Sequence, residues 1–415
     1  MLVGRRFRVR FTPDQLAYAD RVAGTCRAVW NTGLAERRMY RRDHKWINYG
    51  QQCRELADAK TDPEFSWLAE SPGHCLQQTL RDLDQACRDH GTWSINFRAQ
   101  RKWSPSFRFP EGSKLPVSKL SKRWGSVRIP KFGQVVFRRT RGLGGQVRSA
   151  TITREGVHGD WYIVFLVEDG IPPRTVDPAK PPVGIDRGVV VALALSDGRM
   201  LDQAFTTRAE QESVALLQRR AARQQGPRVP GTRGKAGRRK PSKRWLATQA
   251  QINKKLAKQR RRRDDFTVKA ATELTARYSL IVLEKLQLPN MTKTPAAKPD
   301  PNQPGAFLPN RAAAKAGLNR AILAKGWGKF ARALHHKARY TGTLIVMVPA
   351  AYTSQRCRQC GRIAKENREN QADFQCIQCG HTANADTNAA RNILAAGQAV
   401  TGRPTEPGRQ PQIAA

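Results

Sequence analysis

The sequence predicts a multidomain chain, an α/β body combined with a small antiparallel sheet or barrel. Three observations carry this reading. Short strands with Gly/Pro turns fill residues 97–168, after a run of helical pattern. Continuous apolar runs alternate with helical pattern in the second half. A Pro-rich stretch, PPRTVDPAKPP (Pro172–Pro182), separates the halves. At 415 residues the chain has room for about two to four domains and a substantial core.

The elements follow in order. RRFRVRF (Arg5–Phe11) alternates basic and apolar residues, a strand with one wet face. Thr12 then suits an N-cap, Pro13 the first helical position, and Gln15 the far side of a capping box. The helix behind them should turn Leu16, Ala19, Val22, Cys26, Val29 and Trp30 inward. Helical pattern continues to about residue 90, broken near TDPEF and ESPGH. FRFP, SVRIP, VVFRR, SATITR and WYIVFLV read as strands. VGIDRGVVVALALSDGRM gives two more, the second turning at Ser-Asp-Gly. A basic arm follows, helical at both ends with a flexible centre over QQGPRVPGTRGKAGRRKPSKR. Leu280–Leu283 is a continuous apolar strand of the kind covered on both faces. Pro289–Pro309 reads as a mobile loop, Leu318–Tyr340 as a helix, Leu344–Pro349 as a strand, and the chain after about Leu394 as unstructured.

Composition narrows the function. There are 74 Lys and Arg against 33 Asp and Glu, a net charge of +41. Such a surplus repels itself in a compact state unless a polyanion neutralises it. Nucleic acid is the natural one, because each neutralised phosphate releases counterions. A membrane surface fits less well: there is no apolar run long enough to span a bilayer, and MLVGRRFRVRF lacks the apolar segment of a signal peptide. The charge is also uneven. Residues 97–154 hold 15 Lys/Arg and the single acid Glu111, and residues 213–263 hold 18 Lys/Arg and no acid. A solvated charged face would look similar, but this arm lies between apolar segments, which favours a nucleic-acid clamp.

Four of the eight cysteines have ligand spacing. Cys357-x2-Cys360, fifteen residues, then Cys376-x2-Cys379 fits a four-cysteine zinc ribbon. Four thiolates close a tetrahedron, so this Zn²⁺ should be structural. His381 is adjacent and is read as a surface or nucleic-acid contact. Cys26, Cys53, Cys75 and Cys87 have no such spacing and read as reduced thiols in a cytoplasmic protein.

Three carboxylates stand out. Asp186 interrupts an apolar strand between Gly184 and Gly188, where a charge needs partners or a metal; the bland alternative is a bulge. Glu284 ends the strand Leu280–Leu283, where ligands of α/β sheets gather, though a surface Glu would look the same. Asp386 precedes a short helical run and by itself reads as an N-cap. Together they make a hard-oxygen set suited to Mg²⁺ or Mn²⁺ and to two-metal phosphodiester hydrolysis.

These residues resemble the TnpB-type RNA-guided nucleases of insertion sequences, relatives of compact type V CRISPR effectors. The resemblance rests on RRFRVRFTPDQ…CRAVWN, on VGIDRGV and IVLEKL, and on GLNRAIL…GWGKF…YTSQRCRQCG…ENREN…FQCIQCGHTANADTNAARNIL. It covers nearly the whole chain and is most specific over Gly317–Leu394. It implies a RuvC nuclease of RNase H-like fold at 183–349 and 383–395, with Asp186, Glu284 and Asp386 as catalytic Mg²⁺ ligands and the zinc ribbon inserted at 350–382. It further implies a wedge β-barrel at 1–11 and 96–172, interrupted by a helical recognition lobe at 12–95, with a linker at 173–182. The basic arm at 213–263 would line a heteroduplex channel, 289–310 would form a lid, and 396–415 a flexible tail. Such a protein binds a guide RNA, one copy per guide, reads a short flanking motif in double-stranded DNA and cuts the paired target, leaving sequence recognition to base pairing. A cytoplasmic, nucleoid-associated bacterial protein follows. Where many members have Leu after the first aspartate, this chain has Arg187. A guided repressor with a dead metal site is the first alternative, opposed by the intact acids. An RNA-independent RNase H-fold nuclease is the second, opposed by the basic arm and the N-terminal half.

Overall fold

The computed structural model describes residues 1–100, 103–156, 159–225, 241–303, 305–368, 370 and 372–402. The chain forms two compact units, Met1–Pro172 with Lys240–Lys254, and Pro173–Arg239 with Lys255–Ala415. The boundary falls inside the Pro-rich stretch.

The first unit begins with strand β1 (Leu2–Arg10), whose Val3, Phe7 and Val9 face inward while the arginines stay wet. Helix α1 (Pro13–Arg42) starts on the expected capping box, with Thr12 and Gln15 satisfying each other's backbone N–H groups. Helices α2 (Tyr49–Ala59), α3 (Trp67–Glu70) and α4 (Gly73–His90) follow. Strands β2 (Ser106–Phe109), β3 (Val117–Lys119), β4 (Trp124–Ile129), β5 (Gly133–Arg138), β6 (Gln146–Arg154) and β7 (Trp161–Glu168) then join β1 in one antiparallel sheet, ordered β2-β6-β7-β1-β5-β4-β3. Phe7, Phe107, Phe137 and Phe165 pack in its core with Val22, Cys26 and Leu76 from the helices. Leu16 does not join them. It is 40% exposed, because the periodic stripe starts one turn later, at Ala19.

The second unit is built on a mixed sheet. Strands β8 (Pro182–Asp186), β9 (Leu193–Leu195) and β10 (Met200–Leu201) are antiparallel neighbours; after helices α5 (Arg208–Gln225) and α6 (Lys243–Arg277), β11 (Leu280–Glu284) pairs parallel to β8. α6 belongs to this unit from Lys255 onward. The two helices are the ends of the predicted basic arm; its centre, 226–240, lies outside the described residues. Next come α7 (Leu288–Met291), the hairpin β12 (Lys298–Pro299) and β13 (Phe307–Leu308), helices α8 (Ala312–Lys325) and α9 (Trp327–Thr341), and strand β14 (Leu344–Val348), parallel to β11. β15 (Asp373–Gln375) and β16 (Thr382–Asn384) form a second hairpin before α10 (Ala385–Thr401).

β11 is buried along its whole length. Ile281 and Leu283 pack with Ala271 and Leu274 of α6 and Phe330 and Leu334 of α9. Leu280 and Val282 point the other way, onto Ile393 of α10. Two glycines let α10 lie this close. A Cβ on Gly184 would stand 2.1 Å from the Ala390 carbonyl oxygen, and one on Gly397 would stand 2.3 Å from Val282 Cγ2.

Three further expectations change. The helix predicted over Leu318–Tyr340 is two helices, because Gly326 takes a left-handed φ of +71° and ends the first. The loop Pro289–Pro309 contains the β12–β13 hairpin, and Asn310 donates to the Ala296 carbonyl across its base. The tail expected from 396 is helical to Thr401, since Gly397 and Gln398 are buried under the sheet; residues 403–415 lie outside the described residues.

Candidate active site

Asp186 and Glu284 are the last residues of adjacent parallel strands. Ile185 is in register with Leu283, so the two carboxylates sit one step further on, side by side at the carboxyl ends. Side chains alternate along a strand. Asp186 therefore shares the face of Gly184, and Glu284 that of Val282, which is the face covered by α10. The helix crosses from β8 to β11, because the register partners Gly184 and Val282 meet Ala390 and Leu394 in one case and Gly397 in the other. Its first turn holds Asp386, whose charge acts on Asp186.

Asp386 is not the cap. Asn384 is, accepting from the backbone N–H groups of Asp386 and Thr387 at 3.1 Å each. The cap chemistry that the sequence suggested for Asp386 belongs to the residue two places earlier. The Asp386 carboxylate is left for other partners, and a first-turn acid is favoured there by the helix dipole.

Asp186 senses the other two acids. Burial, then the charges of Glu284 and Asp386, push the Asp186 carboxyl up to about 7. Burial also raises Glu284, against the opposing pull of the Thr353 hydroxyl and Arg187. Thr353 donates to Glu284 Oε1 and fixes that carboxylate. Arg187 is buried, and its guanidinium donates to the Glu284 backbone carbonyl. Burial lowers its pKa, with Glu284 and Asp186 opposing. Arg368 reaches in with Nη2 3.3 Å from Asp386 Oδ1. The carboxylates are neighbours, but among the described residues the only His/Cys/Asp/Glu group whose ligand atoms all lie within 4.8 Å of one another is Cys357, Cys360, Cys376 and Cys379. Thr353 and Arg368 lie in the stretches YTSQRCRQCG and ENREN that carry the resemblance, but neither has metal-ligand spacing and neither is assigned a role at the site from sequence.

The cysteine cluster is built from two equivalent turns. Cys357 N–H donates to the Arg362 carbonyl and Gly361 N–H to the Cys357 carbonyl; Cys376 N–H donates to the His381 carbonyl and Gly380 N–H to the Cys376 carbonyl. Gly361 and Gly380 take φ of +80° and +67°, as each tight turn requires. Sγ···Sγ distances are 3.7 Å for Cys357–Cys379 and 3.5 Å for Cys360–Cys376. A metal–sulfur length near 2.3 Å sets tetrahedral edges of about 3.8 Å, so the spacing fits a thiolate-bound ion and is far too long for disulfides. Burial pushes the Cys357 thiol up to about 12. At Cys376 burial is overcome by the backbone N–H groups of Cys379 and Gln378, which bring the thiol down to about 7. His381 is half-buried beside Phe374 and is not part of the cluster.

Comparison with known proteins shows the family. Residues 164–294 match a family described as a probable transposase of the OrfB_IS605 type, residues 1–45 a helix-turn-helix domain of the same group, and residues 327–393 a Cas12f1-like TNB domain. The helix-turn-helix span is folded here as β1 and the single long helix α1. The chain is 34% identical over 398 residues to "Putative RNA-guided DNA endonuclease InsQ" of Escherichia coli (strain K12), covering 95% of this chain and 92% of that protein. It is 28% identical over 410 residues to a "Putative RNA-guided DNA endonuclease" of Streptomyces pristinaespiralis, covering 96% and 90%. A solved Cas12f1–sgRNA–target DNA complex matches at 15% identity and a TM-score of 0.30, covering 95% of this chain and 99% of that one. The chain belongs to the TnpB-type family of insertion-sequence proteins. InsQ is one member to which it is similar over nearly its full length.

Proposed function

We propose that this protein is an RNA-guided DNA endonuclease whose active site is Asp186, Glu284 and Asp386. One observation carries the reading: in a chain homologous to InsQ over its length, two strand-end carboxylates lie side by side, and a third, from the first turn of α10, is near enough for its charge to act on Asp186. The strand order β10-β9-β8-β11-β14, with the first three antiparallel and the last three parallel, supports an RNase H-like RuvC body. Residues 350–382 form the ribbon, with Zn²⁺ held by Cys357, Cys360, Cys376 and Cys379. Residues 1–11 and 96–172 form the wedge barrel around the helical lobe at 12–95, 173–182 the linker, and 289–310 a lid.

The donor set is hard oxygen throughout and carries charge that burial leaves poorly compensated, which fits Mg²⁺ or Mn²⁺. Such ions would supply positive charge to the scissile phosphate and to its attacking and leaving oxygens. The chain's own residues do the rest. Thr353 holds Glu284 in one rotamer, and Arg187 ties the end of β11 to the end of β8 through the Glu284 carbonyl. Arg368 neutralises Asp386 when no cation is present. With a cation held by Asp386, the guanidinium would be free to hold a non-bridging phosphate oxygen.

The test is to purify the full chain with the RNA it carries, sequence that RNA, and challenge the complex with Mg²⁺ and a DNA library of randomised flanks beside a guide-matched target. Cutting next to one short motif, lost in Asp386→Ala, is the expected result. Purification without a defined RNA would sink the guided reading, and cutting that survives Asp386→Ala would sink the site. Guided binding without cutting by the unaltered chain would make it a repressor.

A further inference from the structure

The helical part of the first unit exposes aromatic rings beside guanidinium groups. Trp46 is 71% exposed, Trp93 57% and Phe97 47%. Arg41 lies over the Trp46 ring. Arg38 lies 5.6 Å from the Trp93 ring and 4.8 Å from that of Phe97, and Arg42 lies 6.0 Å from Trp93. Among the described residues neither Arg41 nor Arg42 has an ion-pair partner. None of these three rings joins the buried clusters of the lobe.

Trp93 and Phe97 sit on a built support. The segment after α4 is pinned to α1 by side chains of that helix. Trp30 Nε1 donates to the Asn96 carbonyl at 3.3 Å, and Arg38 Nη2 to the Ile95 carbonyl at 2.6 Å and the Trp93 carbonyl at 3.3 Å. Asn31 accepts from Arg98 N–H at 2.7 Å and donates to its carbonyl. Beneath, Ile95 is buried against Trp30, Leu34, Leu83 and Cys87. Arg38 thus holds the backbone and lines the two rings at once. A ligand would find this surface already ordered, with little entropy left to lose.

Resting on the nucleic-acid reading above, we propose that Trp46, Trp93 and Phe97, with Arg38, Arg41 and Arg42, form a stacking platform for unpaired nucleobases. A flat ring offers its face to a base that is free of its own stack, and the neighbouring guanidinium groups take the flanking phosphates and add cation–π attraction. A duplex hides its base faces, so the platform selects single-stranded segments. RNA and DNA share this chemistry, and the choice between them is a matter of which strand is left unpaired in the complex.

The experiment uses the full chain in EDTA, so that nothing is cut, and at high salt, where the phosphate contribution is weak. Labelled 12-nucleotide single strands of RNA and of DNA, an abasic DNA strand of the same length and a DNA duplex are titrated by anisotropy. Trp46→Ala and Trp93→Ala are each expected to weaken binding of at least one based single strand by about tenfold while leaving the abasic strand and the duplex unchanged, and Trp93→Tyr is expected to retain wild-type affinity. The strand that loses affinity, RNA or DNA, names the source. Equal losses on the abasic strand, or no loss on either based strand, would overturn the platform. Because no cleavage is read, this result stands apart from that of the guided-cleavage test: stacking without guided cutting would refute only the earlier reading, and guided cutting without stacking only this one.

Discussion

Asp186 shows why a carboxylate in an apolar strand is unstable without a counter-ion. Its carboxyl titrates near 7 because burial and two neighbouring acids disfavour its charge. The sign follows directly. A raised carboxyl pKa means the folded, metal-free protein holds a proton that the unfolded chain has released, so stability falls as pH rises from about 4 to about 7. Binding Mg²⁺ or Mn²⁺ must expel that proton, so metal affinity should rise by about tenfold per pH unit below 7 and level off above it. Calorimetric titration of Mn²⁺ from pH 5.5 to 8 checks this, and a flat profile would contradict it. Asp186→Asn should abolish cleavage while keeping RNA binding, measured by cleavage and filter-binding assays on the same preparation. Arg368→Ala separates two roles of its guanidinium. If it only balances Asp386, metal affinity should increase and cutting should survive. The phosphate role predicts instead a loss of cutting by about 10²-fold or more at saturating Mg²⁺.

At the scale of elements, α10 is the piece that matters most. Its cap, Asn384, was hidden by the more conspicuous Asp386 two residues on; both are good capping residues, and composition does not rank them. Asn384→Ala should cost about 1 kcal/mol and lower Tm by a few degrees without changing the site. Gly184→Ala is a harsher test. The added Cβ would meet backbone, which cannot swing away as a side chain can, so overpacking of about 1–3 kcal/mol or more is expected. The same push displaces the first turn of α10 relative to the strand ends, so cutting should fall further than stability does. Thermal melts and cleavage rates of one variant make that comparison. The break at Gly326 teaches a similar lesson. The apolar pattern of Leu318–Tyr340 ran through it, but the left-handed residue ends one helix and starts the next.

Across the whole molecule, a charge of +41 makes nucleic-acid binding a salt-governed property. Affinity for guide RNA should fall by about 10³-fold or more between 50 and 200 mM salt if six or more phosphates are neutralised, as filter binding over that range would record. Cys376→Ser should release the ribbon's metal, counted by elemental analysis, and full metal content in that variant would refute the four-cysteine site. Much of this was legible without coordinates. Charge, cysteine spacing, the Thr12 capping box, the strand alternation of β1 and the apolar run of β11 are all written in residues a few positions apart, and local periodicity is what a chain can encode locally. By itself the sequence determined the nucleic-acid partner class, the thiolate cluster and the identity of three conspicuous acids. Tertiary structure alone decided what those acids meet. The register of β11 on β8 puts Glu284 beside Asp186, and the packing of α10 brings Asp386 near enough for its charge to act on Asp186. Thr353, Arg187 and Arg368 arrive as neighbours that no spacing announces, and Trp46 and Trp93 each come to lie against arginines at the end of α1. Such contacts are fixed by burial between segments far apart in the chain, and burial is a property of the packed whole.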